Sequence, residues 1–456
     1  MSTIDNAVSA LNSGLSGRTI RPSDDGYDAA RTVMYGGFDF HPGVIVRVKS
    51  ATDIQRAVKV ATESGLELAV RSGGHSGAGH SGSDGGIVID LREMKAIEIE
   101  EASKTAWVET GVTAEELTKA TTAKNLVVGF GDSGTVGIGG ITLGGGVGYL
   151  SRLHGLTIDS LLAAEIVTAD GRLLTVDATH EPDLFWAIRG GGGNFGVAVR
   201  LKYQLHDLPE FTGGMICLPA MAETVAGFVA AAEAAPNELS TIANVMPAPP
   251  MPFLPAEVHG KLVILGMIAY AGDDAAAQKA LAPFRALAKP YADMIKPGPY
   301  LQMYPPEDPD YHPTAVFKNM FVNRVGTAEA QQIVDTLNSA SADFCVTQIR
   351  VLRGAIAKVP VDATAYAHRT APIMVNIAAF YTTPEDQVTQ QGWVETFARA
   401  LQQEEAGAYV NFLGLEAPER IHAAYPGATW ERLRKVKKQY DPDNVFRRNQ
   451  NIVPAE

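Results

Sequence analysis

Cysteine is nearly absent from this chain: Cys217 and Cys345 are the only two in 456 residues. Two cysteines build no disulfide framework, and these do not stand in a C-x-x-C spacing that would point to zinc or redox chemistry. A reducing, cytoplasmic setting and no metal are therefore expected. Positive charge is also short. Against 51 Asp+Glu there are 38 Lys+Arg, a formal charge of −13, and the one dense basic stretch, Arg432 to Lys438, is isolated. That balance excludes the extended basic face needed for nucleic acid or an anionic membrane surface. Long apolar runs are lacking too. Nothing approaches the roughly 18 residues of a membrane span, and the opening residues have neither the basic start nor the apolar run of a signal peptide.

What is there instead is glycine, 45 of 456 residues, against a usual share of about 7%. Much of the excess falls in three clusters, at residues 71–86, 129–148 and 189–196. Glycine lets backbone N–H groups approach an anion closely, so such loops often cradle pyrophosphate. Gly191 to Gly196 fits G-x-G-x-x-G, but the nicotinamide dinucleotide fingerprint must leave a strand and enter a helix. Here Asp183–Ile188 reads as a helix before the glycines and Val197–Tyr203 as a strand after them. No G-x-x-x-x-G-K-[ST] phosphate loop occurs. The residues themselves point to a large anionic cofactor wrapped by loops from several elements.

Between Gly43 and about Leu208 short strands and helices alternate. The run from Val44 to Val48 predicts a strand, and a helix from Asp53 is stopped by Gly65. Thr113 to Glu116 has the form of a capping box. Glu165 to Val176 reads as a hairpin about Asp170-Gly171. From Pro209 to about Ala424 the glycine clusters vanish and longer elements are expected: strands at Lys261–Tyr270, Ala315–Val325, Phe344–Leu352 and Pro372–Tyr381, and helices near Asp274–Ala288, Ala328–Ala340 and Gln387–Glu404. These suggest a second α+β domain with a broad antiparallel sheet. Pro247–Pro255 and Pro297–Pro313 read as loops. The last segment reads as a helix and a turn, with the basic stretch on a solvated face.

Arg71-Ser72-Gly73-Gly74-His75, the Gly137–Gly148 segment, Asp183 to Gly196 and the ending Tyr440 to Ile452 together resemble the berberine-bridge-enzyme-like FAD-linked oxidases of the vanillyl-alcohol-oxidase superfamily. Tyr409-Val410-Asn411-Phe412-Leu413-Gly414 is most similar to the bacterial branch that includes 6-hydroxy-D-nicotine oxidase. The resemblance implies an α+β fold: a PCMH-type FAD-binding domain in two subdomains over residues 1–208, a substrate domain with a large antiparallel sheet flanked by helices over 209–424, and a segment 425–456 returning to the first. It assigns cofactor contacts to Arg71, Ser72, Gly73, Gly74, His75, Ser76 and Gly77 in the first cluster. In and after the second it assigns Gly131, Asp132, Ser133, Val136, Gly137, Gly139, Gly140, Thr142, Gly144, Gly145, Gly146, Gly148, Leu150, His154 and Gly155. Gly193, Asn194, Gly196 and Val197 follow in the third, with Asn449 and Asn451 near the end.

The resemblance also implies a covalent bond from a His75 ring nitrogen to the 8-methyl carbon of the flavin, chemistry of which neutral imidazole is capable. His80 is the alternative attachment point. Many relatives attach the flavin a second time through a cysteine, and Ser133 stands where that cysteine would be, so a single bond is expected. A smaller or more enclosed substrate pocket goes with that.

For catalysis the resemblance implies an oxidase: hydride passes from a C–O or C–N carbon of a small molecule to flavin N5, and O2 reoxidises the cofactor to give H2O2. The catalytic base is not evident. Relatives carry Y-x-N-Y with the second tyrosine as base, and here Phe412 takes its place. Strand alternation puts Tyr409 and Asn411 on one face, Tyr409 for proton transfer and Asn411 for orienting substrate. Arg350, on one strand face with Gln348, would favour an anionic substrate or a developing negative charge. His368 is a further candidate base, and Arg353 either intrudes on the pocket or faces solvent. An amine bound neutral would need no strong base. The rival readings are a dehydrogenase with another electron acceptor, a non-redox metabolite-binding or cyclising protein that keeps FAD structurally, and a nicotinamide-dependent reductase.

Overall fold

The short elements of the first half assemble into two main sheets and the two-stranded pair Leu126–Val127 with His206–Asp207 in the computed structural model, which describes residues 2–342, 344–403 and 407–456. Val44–Arg47 lies parallel to Ile87–Asp90, which lies parallel to Leu68–Arg71, and Arg18–Ile20 adds an antiparallel edge. The helix Ala51–Ser64 begins two residues before the expected Asp53, with Ser50 as its cap, and ends at Gly65, whose φ is 68°. Asp53 is buried and accepts backbone N–H bonds from Ser16, Gly17 and Lys49.

The second sheet is antiparallel, in the order Ile97–Glu100, Thr105–Glu109, Val197–Gln204, Leu161–Val167, Leu173–Asp177. Its last pair is the hairpin about Asp170-Gly171. The capping box of Ala114–Thr122 forms as the sequence predicts, with Thr113 and Glu116 bonded reciprocally.

The third sheet is the large one. Its strands run in the order Ala292–Asp293, Phe211–Pro219, Leu262–Ala271, Leu239–Pro247, Cys345–Val351, Ile373–Phe380, Ala315–Val322, all antiparallel, with Lys296–Pro297 pairing Phe211–Pro219 from the side. Phe211–Pro219 and Leu239–Pro247 escape the sequence reading. Gly213 and Gly214 break the apolar pattern of the first, and a Cβ on Gly214 would lie 2.4 Å from the carbonyl oxygen of Met294. Four helices, Ala222–Ala234, Asp274–Arg285, Thr327–Asn338 and Pro384–Leu401, flank the sheet; Glu404, the expected end of the last, lies outside the described residues.

The period of two along these strands divides their labour. Val316, Met320, Ile349, Val351, Val375 and Ile377 point into the core shared with those helices, while Phe317, Gln348, Arg350, Asn376 and Ala378 line a cavity on the opposite face.

Two expectations fail. Tyr409 to Phe412 is not a strand: Val410–Phe412 is a 3-10 turn in which the Phe412 N–H reaches the Tyr409 carbonyl at 3.0 Å. Asn319 fixes it by accepting from the Tyr409 N–H and donating to the Phe412 carbonyl. The helix Ala428–Tyr440 does not carry all its basic residues in water either. Lys437 is fully buried and paired with equally buried Asp441 at 2.6 Å, because its ammonium also meets the carbonyls of Asn194 and Phe446. Among the described residues no helix is long and apolar enough to cross a membrane.

Candidate active site

The three glycine clusters converge on one cavity of about 1100 Å³, closed on its far side by the large sheet. Pockets for single small molecules run to roughly 300–1,000 Å³, so the space suits a large cofactor together with a substrate.

The first two loops interlock. A Cβ on Gly73 would lie 2.2 Å from the Gly137 nitrogen, and one on Gly137 would lie 2.2 Å from both the Gly73 nitrogen and Ser72 Oγ. Ser72 bridges the same place, donating to the Thr110 carbonyl at 2.5 Å and accepting from the Gly139 N–H. Gly137→Ala therefore has to push two backbones apart, an overpacking cost of about 1–3 kcal/mol. The expected outcome is a lower ratio of flavin to protein absorbance in the purified variant.

Arg71, expected to touch the cofactor, lines the cavity but spends its guanidinium on chain carbonyls. It donates to Ala30, Thr32 and Arg31, and burial lowers its pKa to about 10. It clamps the segment behind the loop. Asn194 works similarly from the third cluster: its amide holds Gly191, Gln450 and Ile452, tying that loop to the C-terminal segment.

The expected contacts divide cleanly. Gly74, His75, Ser76, Gly77, Gly131, Asp132, Ser133, Val136, Gly139, Gly140, Gly193, Gly196, Val197 and Asn449 line the cavity with those already named. Thr142, Gly144, Gly145, Gly146, Gly148, Leu150, His154, Gly155 and Asn451 do not. Thr142 bonds the Tyr203 hydroxyl, Leu150 packs in a core cluster, and His154 stacks on His206 with its pKa lowered by burial to about 4. Gly144 acts through a neighbour, because a Cβ there would lie 1.9 Å from Asn411 Oδ1.

The lining fits FAD. Gly140 and Gly193 face open space where a Cβ would stand, leaving backbone as the wall. The buried Asn449 Oδ1 has no partner within the protein.

His75 sits at one end, its Nε2 2.9 Å from Thr135 Oγ1. Burial lowers its pKa, offset in part by the charges of Glu307 and Asp132, a shift toward the neutral ring. His80 also lines the cavity, and its pKa falls to about 4 through burial and the charge of Arg448.

Of the four proposed catalytic residues, Tyr409, Asn411 and Arg350 meet at the cavity and His368 does not. His368 is packed against Phe321 with Nε2 3.0 Å from the Ala423 carbonyl oxygen. The Tyr409 hydroxyl accepts from the Gly146 N–H and from Asn411 Nδ2, each at 2.8 Å. Arg350, 4% exposed, pairs with Asp132 at 2.7 Å, donates to Gln348 Oε1 and lies 5.1 Å over the Phe412 ring. Asp132 thus meets its charge within the protein, while its buried Nη1 has no partner there. Arg353 faces solvent and pairs with Glu233.

The structure adds what the sequence reading missed. Register sets Asn244 beside Gln348, Gln348 beside Asn376, and Asn376 beside Asn319, a row of four amides across four strands. Glu307, Tyr35 and Phe317 also reach the cavity. No local pattern marks them, since their role comes from strand pairing and a loop crossing.

Comparison with known proteins agrees with this geometry. Residues 42–177 match the family model for an FAD binding domain, and residues 408–453 the model described as berberine and berberine like. An uncharacterised FAD-linked oxidoreductase of Bacillus subtilis is 30% identical over 96% of this chain and 97% of its own length. The (R)-6-hydroxynicotine oxidase of Paenarthrobacter nicotinovorans is 28% identical over 96% and 97%. A solved structure of Physcomitrella patens BBE-like 1 superposes with a TM-score of 0.87 at 25% identity, covering 100% of both chains.

Proposed function

We propose a reaction for a chain that belongs to the berberine-bridge-enzyme-like FAD-linked oxidoreductases: oxidation of a C–O or C–N carbon in a small, uncharged organic substrate. FAD supplies the hydride acceptor at N5 and, reoxidised by dioxygen, the route to hydrogen peroxide. We further read residues 1–208 and the C-terminal segment 425–456 as the cofactor-binding part and 209–424 as the substrate part.

The observation that carries the substrate class is the wall facing the glycine loops. Arg350 is paired with Asp132, and beside it the amides of Gln348 and Asn376 line the cavity. Arg350 and Asp132 together present no net charge, so a charged substrate gains no counterion there to offset its lost hydration. Amides offer both donors and acceptors, which suits hydroxyl, lactam or neutral amine groups. Tyr409 takes the proton-transfer role and Asn411 holds its hydroxyl.

Two experiments test this. Uncharged hydroxylated heterocycles, sugars and amines, added without air, should bleach the flavin, and air should restore the colour with peroxide released. Slow recovery in air with rapid recovery by a quinone dye overturns the oxidase and favours a dehydrogenase. The cofactor is held by one covalent bond at His75, so yellow colour should stay in the acid-precipitated wild-type and His80→Ala proteins. It should leave in His75→Ala; colour retained there removes His75 as the attachment point.

A further inference from the structure

We propose that Thr135 and Glu307 are positioning residues for flavin attachment: they set the tautomer of His75 so that Nδ1 carries the bond-forming lone pair, and they accept the proton released from Nε2. This rests on the reading of His75 as the attachment point.

Thr135 Oγ1 lies 2.5 Å from Glu307 Oε2 and 2.9 Å from His75 Nε2. Ser133 Oγ, where a second attachment would need a cysteine, lies 2.7 Å from Glu307 Oε1. Glu307 is exposed, and an ionised carboxylate only accepts. The one hydroxyl proton of Thr135 is therefore given to Glu307, and Thr135 can offer His75 only a lone pair. Nε2 must be the donor, and in a neutral imidazole the other nitrogen, Nδ1, then holds the lone pair.

Glu307 is held in place from several sides. It belongs to the segment 304–314 between Tyr300–Met303 and the strand Ala315–Val322, with prolines at 305, 306, 309 and 313 that restrict its freedom. The segment is tied to the N-terminal part by His312 Nδ1 at 3.2 Å from the Met34 carbonyl oxygen and by the Gly36 N–H to the Pro313 carbonyl. A loop from the large-sheet half thus reaches across the cavity to the attachment loop.

The step balances. A bond forms between Nδ1 and the 8-methyl carbon of FAD, one C–H bond of that methyl and the Nε2–H bond are given up, and dioxygen takes two electrons and two protons to leave as hydrogen peroxide. As the ring becomes cationic during bond formation, its Nε2 proton passes to Thr135 while Thr135 passes its own to Glu307, which faces solvent.

The test uses the full chain produced without flavin and then given FAD. Bound FAD is measured before denaturation, and attached FAD is read afterwards as fluorescence of the denatured band and mass gain of the chain. Glu307→Gln and Thr135→Val should bind FAD yet attach it slower by about tenfold or more, and Thr135→Ser should restore the rate. The flavin peptide of the wild type should be Nδ1-linked by NMR. An Nε2 link, or wild-type rates in both Glu307→Gln and Thr135→Val, overturns the proposal. Should Glu307→Gln fail to bind FAD, the Thr135→Val and Thr135→Ser pair decides alone. Absence of attached flavin in the wild type would instead overturn the His75 reading beneath it.

Discussion

Replacing Tyr409 by phenylalanine is expected to slow substrate-driven bleaching of the flavin by about 10²–10⁴-fold, the range supplied by a positioned acid or base. A phenolic oxygen has two lone pairs and one proton. The Gly146 N–H and Asn411 Nδ2 occupy the lone pairs, so the proton is the part left to exchange. Burial raises the Tyr409 pKa, and the Gly146 and Asn411 hydrogen bonds oppose that shift, since donors aimed at an oxygen stabilise its anion. Phe412 has no hydroxyl to take over. The variant also strands two donors, at about 1–3 kcal/mol for an unsatisfied buried group, so thermal midpoint and flavin content are measured alongside. Stopped-flow bleaching reduced by less than about threefold would remove Tyr409 from proton transfer and favour an amine substrate that gives up hydride without a base.

Asp441→Ala is expected to cost about 3–5 kcal/mol of stability, because it leaves an ammonium buried without its counterion. Lys437 and Asp441 are both 0% exposed and 2.6 Å apart, and Asp441 also accepts the N–H groups of Val445 and Phe446. Lys437→Met, which leaves the equally buried Asp441 carboxylate without its cation, should cost a similar amount. Urea denaturation checks this through the midpoint at unchanged slope. Because Lys437 also holds the Asn194 carbonyl, Asp441→Ala should lose flavin as well as stability. A change below about 1 kcal/mol would mean that water reaches the ammonium.

Elements specified by neighbouring residues were readable in advance. The capping box at Thr113, the stop at Gly65 and the turn at Gly171 follow from residues within four positions of one another. The glycine clusters were readable for the same reason, since a close approach of backbone demands glycine whatever the rest of the chain does. The strand expected at Tyr409 was not, because a distant side chain, Asn319, takes the hydrogen bonds that a strand partner would have taken. Nor was the burial of Lys437, since a basic residue on a helix looks the same in sequence whether water or a carbonyl meets its ammonium.

The sequence by itself determined that this chain wraps a large anionic cofactor in glycine loops, that His75 lies in one of them, and that position 133 has no thiol and position 412 no phenol. Only the tertiary structure decided what those loops face. Asp132 meets Arg350 across 218 positions and Thr135 meets Glu307 across 172. Pairs so far apart leave no local pattern. Strand register and a loop crossing bring them together, so that one charge meets another and a carboxylate comes within reach of the hydroxyl beside His75.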